Sequence, residues 1–355
     1  MKEAKEFMVV ECKGTPYEIG RQYGAACRDN ILKSLEMNFG ALIHGQQATK
    51  EEIITNALKF VPNVKSFDPD IIEFITGQAD GAGISFEEAF SLRCMLELGL
   101  YYKQIIGLCT SFAATGEATA EGKTILGQNI DWIAGFPMDL LKFEYKNGVK
   151  QLVLSLGGIV EYTLNSHGIG MCANSIFNPV EEYYIGIPVG CYLPKAMRQQ
   201  KIGDALGILC LAARGIGYYH LASAQGDIVG VESVLDDFNV LHPEKDMLVH
   251  SNHYFTDRFK KGDWAYVVLP DSYLRSTRIK RLMDKHYGSI TPQVMMEILS
   301  DHNNHPSSIC RHVDNDKPPH LRSETLASYI MVPEDQVMYI AYGNPCQYEY
   351  VEYKL

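Results

Sequence analysis

Positive charge is the scarcer sign in this 355-residue chain: 32 Lys and Arg stand against 43 Asp and Glu, a formal net charge of −11. A nucleic-acid binder needs a basic stripe to neutralise phosphates, and a peripheral membrane protein needs a polybasic face, so both readings lose their electrostatic basis. Long apolar runs are missing too. The most apolar window, "ALGILCLAA" at 205–213, falls well short of the roughly 20 residues a spanning helix requires. The opening "MKEAKEFMVVECKGTPYEIG" lacks a basic stretch followed by an apolar one, so it reads as no signal peptide and the expectation is a cytoplasmic protein. The nine cysteines include no C-x-x-C, which favours reduced thiols over a disulfide frame or a zinc ribbon. Repeats, low-complexity tracts and linkers are also wanting, while 46% hydrophobic and 21% charged residues support one folded domain with a sizeable core.

Residues 16–106 carry apolar positions at helical spacing, and Ser85-Phe86-Glu87-Glu88 has the form of a capping box opening a further helix. Gly20 and Gly24 lie inside a helical pattern and mark close packing or a break rather than a phosphate loop. From Cys109 onward the pattern changes to short strands, expected at 109–115, 124–132, 151–156, 160–165, 169–174, 228–233, 237–241, 247–251, 265–269, 328–332 and 336–342. Helices are expected around 190–213, 272–286 and 292–300. The reading is a strand-rich body under an N-terminal helical cover.

The most informative stretch is "CTSFAATGEATAEGKTILGQNIDW", from Cys109 to Trp132. Two strand-like runs flank a turn-prone connection, so a β-hairpin returns Asn129 and Asp131 towards Cys109. On these residues alone Cys109 is either a buried core thiol or a nucleophile with a carboxylate beside it.

Further motifs widen the comparison: "GTPYEIGRQYG", "GQADGAGISFEEAFSLR", "HGIGMCANS", "LVHSNHY", "DSYLRSTRIKRL", "ILSDHNNHPSSIC" and "AYGNPCQYEY". In this order the chain resembles the cysteine N-terminal-nucleophile hydrolases of the penicillin acyl-coenzyme A acyltransferase type (peptidase family C45), with a more distant likeness to bile salt hydrolases and acid ceramidase. The resemblance implies an α+β fold, a four-layer αββα sandwich over residues 1–355. It implies self-cleavage between Leu108 and Cys109 into a mostly helical 1–108 segment and a strand-rich 109–355 segment. Cys109 would then be an N-terminal nucleophile whose α-amine serves as its base, working through a thioester on an amide substrate. Asp131 matches the aspartate that orients the amine, Asn252 the oxyanion asparagine, and Asn174 a second asparagine seen in bile salt hydrolases. Arg278 aligns with an arginine that supports the aspartate. Arg275 and Arg281 share nearly its helical face, so a solvated basic face competes with that role, and Arg311 is a further candidate partner. Gln128 stands where bile salt hydrolases and acid ceramidase have arginine, which weakens a bile-salt reading.

The implied partners are a small acyl amide and, as acyl donor, a coenzyme A thioester; neither cofactor nor metal is implied, and a homo-oligomer stays open. Two rivals remain. A metal-dependent hydrolase would use His250 and His253, or the cluster His302, His305, Cys310 and His312, although H-E-x-x-H is absent. A binding protein that has lost its chemistry on the same fold is the other.

Overall fold

The computed structural model describes residues 2–46, 48–102, 108–176, 178, 185–212 and 217–355. The stretch 103–107, inside the expected helical segment and just before Cys109, lies outside the described residues. The N-terminal part begins with a strand that the sequence reading did not anticipate, β1 (Val9–Gly14). Helices α1 (Pro16–Ala26), α2 (Arg28–Gln46), α3 (Lys50–Leu58), α4 (Val61–Phe67), α5 (Pro69–Ala82), α6 (Phe86–Arg93) and α7 (Met95–Tyr101) follow. The capping box at Ser85 forms as expected: its side chain accepts from Glu88 N, and the Glu88 carboxylate accepts from Ser85 N.

Beyond Leu108 come β2 (Leu108–Ala114), β3 (Ile125–Ile133), β4 (Asp139–Tyr145), β5 (Lys150–Leu156), β6 (Val160–Asn165) and β7 (Ile169–Asn174). Helices α8 (Val189–Met197) and α9 (Ile202–Ala212) lead to β8 (Gly217–Ser223), β9 (Ile228–Ser233), β10 (Phe238–Leu241) and β11 (Met247–His250). The chain ends with α10 (Ala265–Val268), α11 (Asp271–Lys285), α12 (Pro292–Leu299), β12 (Ser323–Val332), β13 (Val337–Ala341) and β14 (Val351–Lys354). One expected strand is therefore corrected: 265–269 contains a short helix. Its apolar run, "AYVVL", follows no alternation, and Tyr266 and Val267 are exposed, so it never joins a sheet.

Two sheets form the centre. One has the order β1-β4-β5-β6-β7-β8-β9-β10 and the other β11-β2-β3-β12-β13-β14. They face each other through β2, β3, β7 and β8, while α1, α8 and α9 pack on the first sheet and α11 and α12 on the second. This is the four-layer αββα sandwich that the sequence resemblance implies. Alternation along β3 sorts its residues between layers. Ile130 belongs to the main core, whereas Asn129 turns outward and donates to Leu299 O and Ile309 O at 2.9 and 2.8 Å.

Close packing explains the glycines inside α1. A Cβ on Gly20 or Gly24 would lie 2.0 or 2.2 Å from a backbone oxygen of α5, and one on Gly77 or Gly81 would lie 2.1 Å from a backbone oxygen of α1. Each helix thus presents two glycines four residues apart to its partner's backbone. Gly77→Ala should lower the urea midpoint, because overpacking costs about 1–3 kcal/mol of unfolding free energy and exceeds the roughly 0.5–1 kcal/mol that Ala gains over Gly in a helix. An unchanged or raised midpoint would show that the two helices can separate without loss.

Candidate active site

Cys109 is the second residue of β2. The hairpin pairs Leu108 with Asp131, Cys109 with Ile130 and Thr110 with Asn129. The return expected from the sequence is therefore present, and the Leu108–Cys109 bond lies alongside Ile130 and Asp131.

The Cys109 backbone is gripped on both sides. Its N–H donates to Asn252 Oδ1 at 2.9 Å, and its carbonyl accepts from Arg275 Nη1 at 2.6 Å. Arg275 also donates to Thr110 Oγ1 at 2.8 Å, to Asn252 Oδ1 at 2.8 Å and, from Nε, to Asp271 at 2.8 Å. Asn252 is held from its own main chain by Ser272 Oγ, and its Nδ2 donates to Ser175 O at 2.8 Å. Asn174 lies beside it in a reciprocal arrangement, donating from Nδ2 to Ser251 O at 2.9 Å. Each asparagine of the Asn174-Ser175 and Ser251-Asn252 pairs thus bonds the serine carbonyl of the other. Both are buried, and Asn174 Oδ1 has no hydrogen-bond donor among the described residues.

Asp131 is fully buried. Its Oδ1 accepts from Thr325 Oγ1 at 2.6 Å, while Oδ2 lies 3.5 Å from Arg311 Nε with no hydrogen-bond donor among the described residues. Arg311 reaches across to Asp271 as well, so Asp271 joins the two buried arginines. Burial raises the Asp131 carboxyl to about 7 against the pull of Arg311 and Arg275. The Cys109 thiol is pushed up to about 12, mainly by burial and then by the Asp131 charge, with the Asp131 backbone N–H, Arg275 and Arg311 acting in the opposite sense.

Of the expected residues, Cys109, Asp131, Asn252 and Asn174 come together, and Arg278 does not. Arg278 points away and makes a two-point pair with Asp301, at 3.1 and 2.6 Å. The helical face explains the correction. The buried residues of α11 are Ser272, Arg275, Ser276, Ile279 and Met283, a stripe at three- and four-residue spacing that includes position 275 and excludes 278. The sequence did not separate the two, because Leu274 and Leu282 flank position 278 as Ile279 and Met283 follow position 275, and only the packing leaves Leu274 exposed. Tyr162 was also missed. Buried on β6 in the facing sheet, its phenol is pushed up by burial and then by the nearby Cys109, a proximity that only the packing of two sheets creates. Gln128 spans the same gap, accepting from Ala173 N at 2.8 Å and donating to Ala173 O at 3.2 Å, next to Asn174.

A cleft of about 770 Å³ opens at this end of the sandwich. Leu42 and Met95 line it from the helical cover, Leu108 and Trp132 from the hairpin, and Asp271 and Arg311 from the charged network. Leu108 forms part of its wall, so the residue preceding Cys109 borders the cleft.

The histidines of the metal rival divide. His250 Nε2 bonds Glu232 at 2.8 Å and His253 Nδ1 bonds Ser272 at 2.8 Å, so each ring is engaged separately. His302, Cys310 and His312 do gather, with Cys346 as an unforeseen fourth member. No hydrogen bond or ion pair among the described residues links these four side chains to Cys109.

Comparison with known proteins places this geometry in a class. Residues 119–347 match the family described as acyl-coenzyme A:6-aminopenicillanic acid acyl-transferase. The chain belongs to that family. Among individual relatives, it is 25% identical over 314 residues to the acyl-coenzyme A:6-aminopenicillanic-acid-acyltransferase 40 kDa form of Emericella nidulans, covering 85% of this chain and 84% of that protein. Two solved structures are also similar. The conjugated bile acid hydrolase of Clostridium perfringens shares 14% identity at a TM-score of 0.46, over 70% of this chain and 97% of that one. Penicillin V acylase of Agrobacterium tumefaciens shares 14% at 0.43, over 66% and 83%. No described helix is long and apolar enough to cross a membrane.

The two arginines of α11 give a direct contrast. Arg275→Ala removes one partner from a buried network and should destabilise the protein by about 3–5 kcal/mol. Arg278→Ala breaks a pair near the surface and should cost under about 1 kcal/mol. Urea unfolding of both variants checks this, and an equal loss would return Arg278 to the site.

Proposed function

We propose that the protein is an amide-bond hydrolase or acyltransferase that uses Cys109 as an N-terminal nucleophile after cleaving its own Leu108–Cys109 bond. The observation that carries this is the double grip on Cys109, by Asn252 on its N–H and Arg275 on its carbonyl, at a bond whose preceding residue borders a substrate-sized cleft.

Cleavage starts with Cys109 Sγ attacking the Leu108 carbonyl carbon. The C–N bond breaks, the nitrogen takes the thiol proton, and the Leu108 acyl group rests on sulfur as a thioester. Water hydrolyses it, leaving a Leu108 carboxylate, a free thiol and a new α-amine with a reference pKa of about 8. That change replaces a neutral amide with a group able to act as general base for its own thiol. A cationic amine beside the sulfur also opposes the burial that holds the thiol high in the continuous chain. Asp131, in register with Leu108 and with Oδ2 lacking a donor, is the group suited to receive the amine's hydrogen bond.

Turnover repeats the chemistry on substrate. The thiolate attacks the amide carbonyl, the leaving amine departs with a proton, and water or another amine or thiol resolves the thioester. Asn252 and Asn174, on adjoining strand ends, supply amides for the developing oxyanion. The cleft combines an apolar wall with Lys317 and Arg322, which suits an acyl chain joined to an acidic group. N-acyl amino acids and coenzyme A thioesters both have that form.

Intact-mass spectrometry under denaturing conditions tests the processing. Wild-type protein should give fragments 1–108 and 109–355, and Cys109→Ala should remain one chain, folded and inactive. A wild type that is fully active yet uncut would sink the terminal-amine mechanism. Release of free amine from N-acyl amino acids, N-acyl amines and penicillins then sorts the substrates. On the best of them Asn252→Ala should lower turnover about 10²–10³-fold with the fold intact, and near-normal turnover would remove Asn252 from the mechanism.

A further inference from the structure

His302 and Cys310 belong to the segment after α12, His312 lies two residues further on, and Cys346 follows β13. Their ligating atoms lie within 4.8 Å of one another. The two sulfurs of Cys310 and Cys346 are 3.6 Å apart, and His312 Nε2 lies 3.6 Å from the first and 3.4 Å from the second. His302 Nε2 lies 3.0 Å from His312 Nε2.

A tetrahedral zinc ion with Zn–S near 2.3 Å and Zn–N near 2.0–2.1 Å requires edges of about 3.8 Å between sulfurs, about 3.6 Å between sulfur and nitrogen and about 3.3 Å between nitrogens. The four separations just given fall within about 0.3 Å of these values, and the two from His302 Nε2 to the sulfurs stay within 4.8 Å. Hydrogen bonds alone would need one of the two Nε2 atoms to donate and the other to accept while both sulfurs crowd His312 Nε2, whereas one cation takes a lone pair from all four atoms at once. Asn344 supplies a further feature of a metal-bound thiolate, an amide N–H directed at Cys310 Sγ at 3.5 Å. His305, grouped with the cluster in the sequence, instead packs its ring against His302 and His312.

We infer that His302, Cys310, His312 and Cys346 form a structural zinc site that ties the 301–312 segment to the turn after β13. Two thiolates and two neutral imidazoles balance the dication and fill its tetrahedron, so no position remains for a reacting water and the site is not a catalytic one. Its consequence for the chemistry is positional. Arg311 lies between two of the ligands, Asn344 holds its carbonyl at 2.7 Å, and its side chain reaches Asp131 and Asp271. The zinc fixes the backbone from which Arg311 extends to the Asp131 carboxylate.

The test reads metal rather than turnover, so its outcome is separate from that of the Cys109 mechanism. Purified full-length protein should release about one zinc per chain when its thiols are titrated with a mercurial. Cys109→Ala should retain that metal, while Cys346→Ser and His312→Ala should lose most of it and melt at a lower temperature. Where a variant does not fold, reduced wild-type protein stripped of metal and refilled with cobalt(II) supplies the reading. Thiolate-to-cobalt charge-transfer absorption with tetrahedral ligand-field bands is the expected result. Three results overturn the site: no uptake of zinc or cobalt by the reduced protein, a bound metal that survives both substitutions, or a native Cys310–Cys346 disulfide whose reduction confers no metal binding.

Discussion

A buried guanidinium is the constraint on which the rest of this site depends. Arg275 is 1% exposed, and removing such a charge from water costs several kcal/mol unless the interior supplies acceptors. Asp271, the Cys109 carbonyl, Thr110 and Asn252 supply them. These acceptors come from the start of α11 itself, β2 and the segment after β11, so satisfying one charge fixes three pieces of chain in register. Arg311 adds a second cation, sharing Asp271 and facing Asp131. With Asp131 ionised the four groups balance. With it protonated, one positive charge is left over, yet burial still holds the carboxyl near 7. Another cation placed beside Asp131 would therefore draw the proton off it, and an α-amine at Cys109 is such a group.

The second requirement is that two sheets meet at one end in a fixed orientation. Gln128 links β3 to β7 through both hydrogen-bonding groups of Ala173, and Tyr329 adds a hydroxyl bond to Gln128 Oε1 at 3.1 Å. That link sets the height of Asn174, which then exchanges carbonyl contacts with the Ser251-Asn252 pair. An arginine at position 128 would introduce a charge where the present side chain satisfies a backbone donor and acceptor together.

Much of this was legible in the sequence because it is local. The β2–β3 hairpin follows from alternation and a turn-prone connection, the helical cover from its periodicity, and the Gly20 and Gly24 packing from glycines placed where helix propensity opposes them. Strands β1, β4, β8 and β14 were not anticipated. Strands β4 and β8 are nearly or wholly buried, so alternation gives little signal there, and β1 and β14 owe their pairing to distant partners. Arg278 was selected over Arg275 by alignment of motifs, and only the packing shows that the buried stripe of α11 runs through 275. Cys346 was hidden for a different reason. Only the antiparallel return of β13 along β12, with Ser328 opposite Ala341, brings the residues after β13 back to the sheet end where the Arg311 backbone meets Thr325.

The unanticipated β1 also bears on how a chain cut after Leu108 could stay assembled. It adds a parallel strand to the eight-stranded sheet through β4, from Val9 opposite Leu140 to Gly14 opposite Tyr145. The segment therefore contributes to a sheet as well as covering it, and Phe7 stacks on Tyr342 at 4.0 Å while its N–H donates to the Tyr353 hydroxyl. On the cover itself, Arg93 reaches Glu161 of β6 at 2.7 Å in a buried pair. Separation would expose that pair, break a ladder and uncover the apolar faces of α1, α5 and the sheet below, all at once. Buried surface of this kind is lost only when the layers part together. The peptide bond before Cys109 is thus dispensable for cohesion: its two flanks are already held by contacts far from it in sequence.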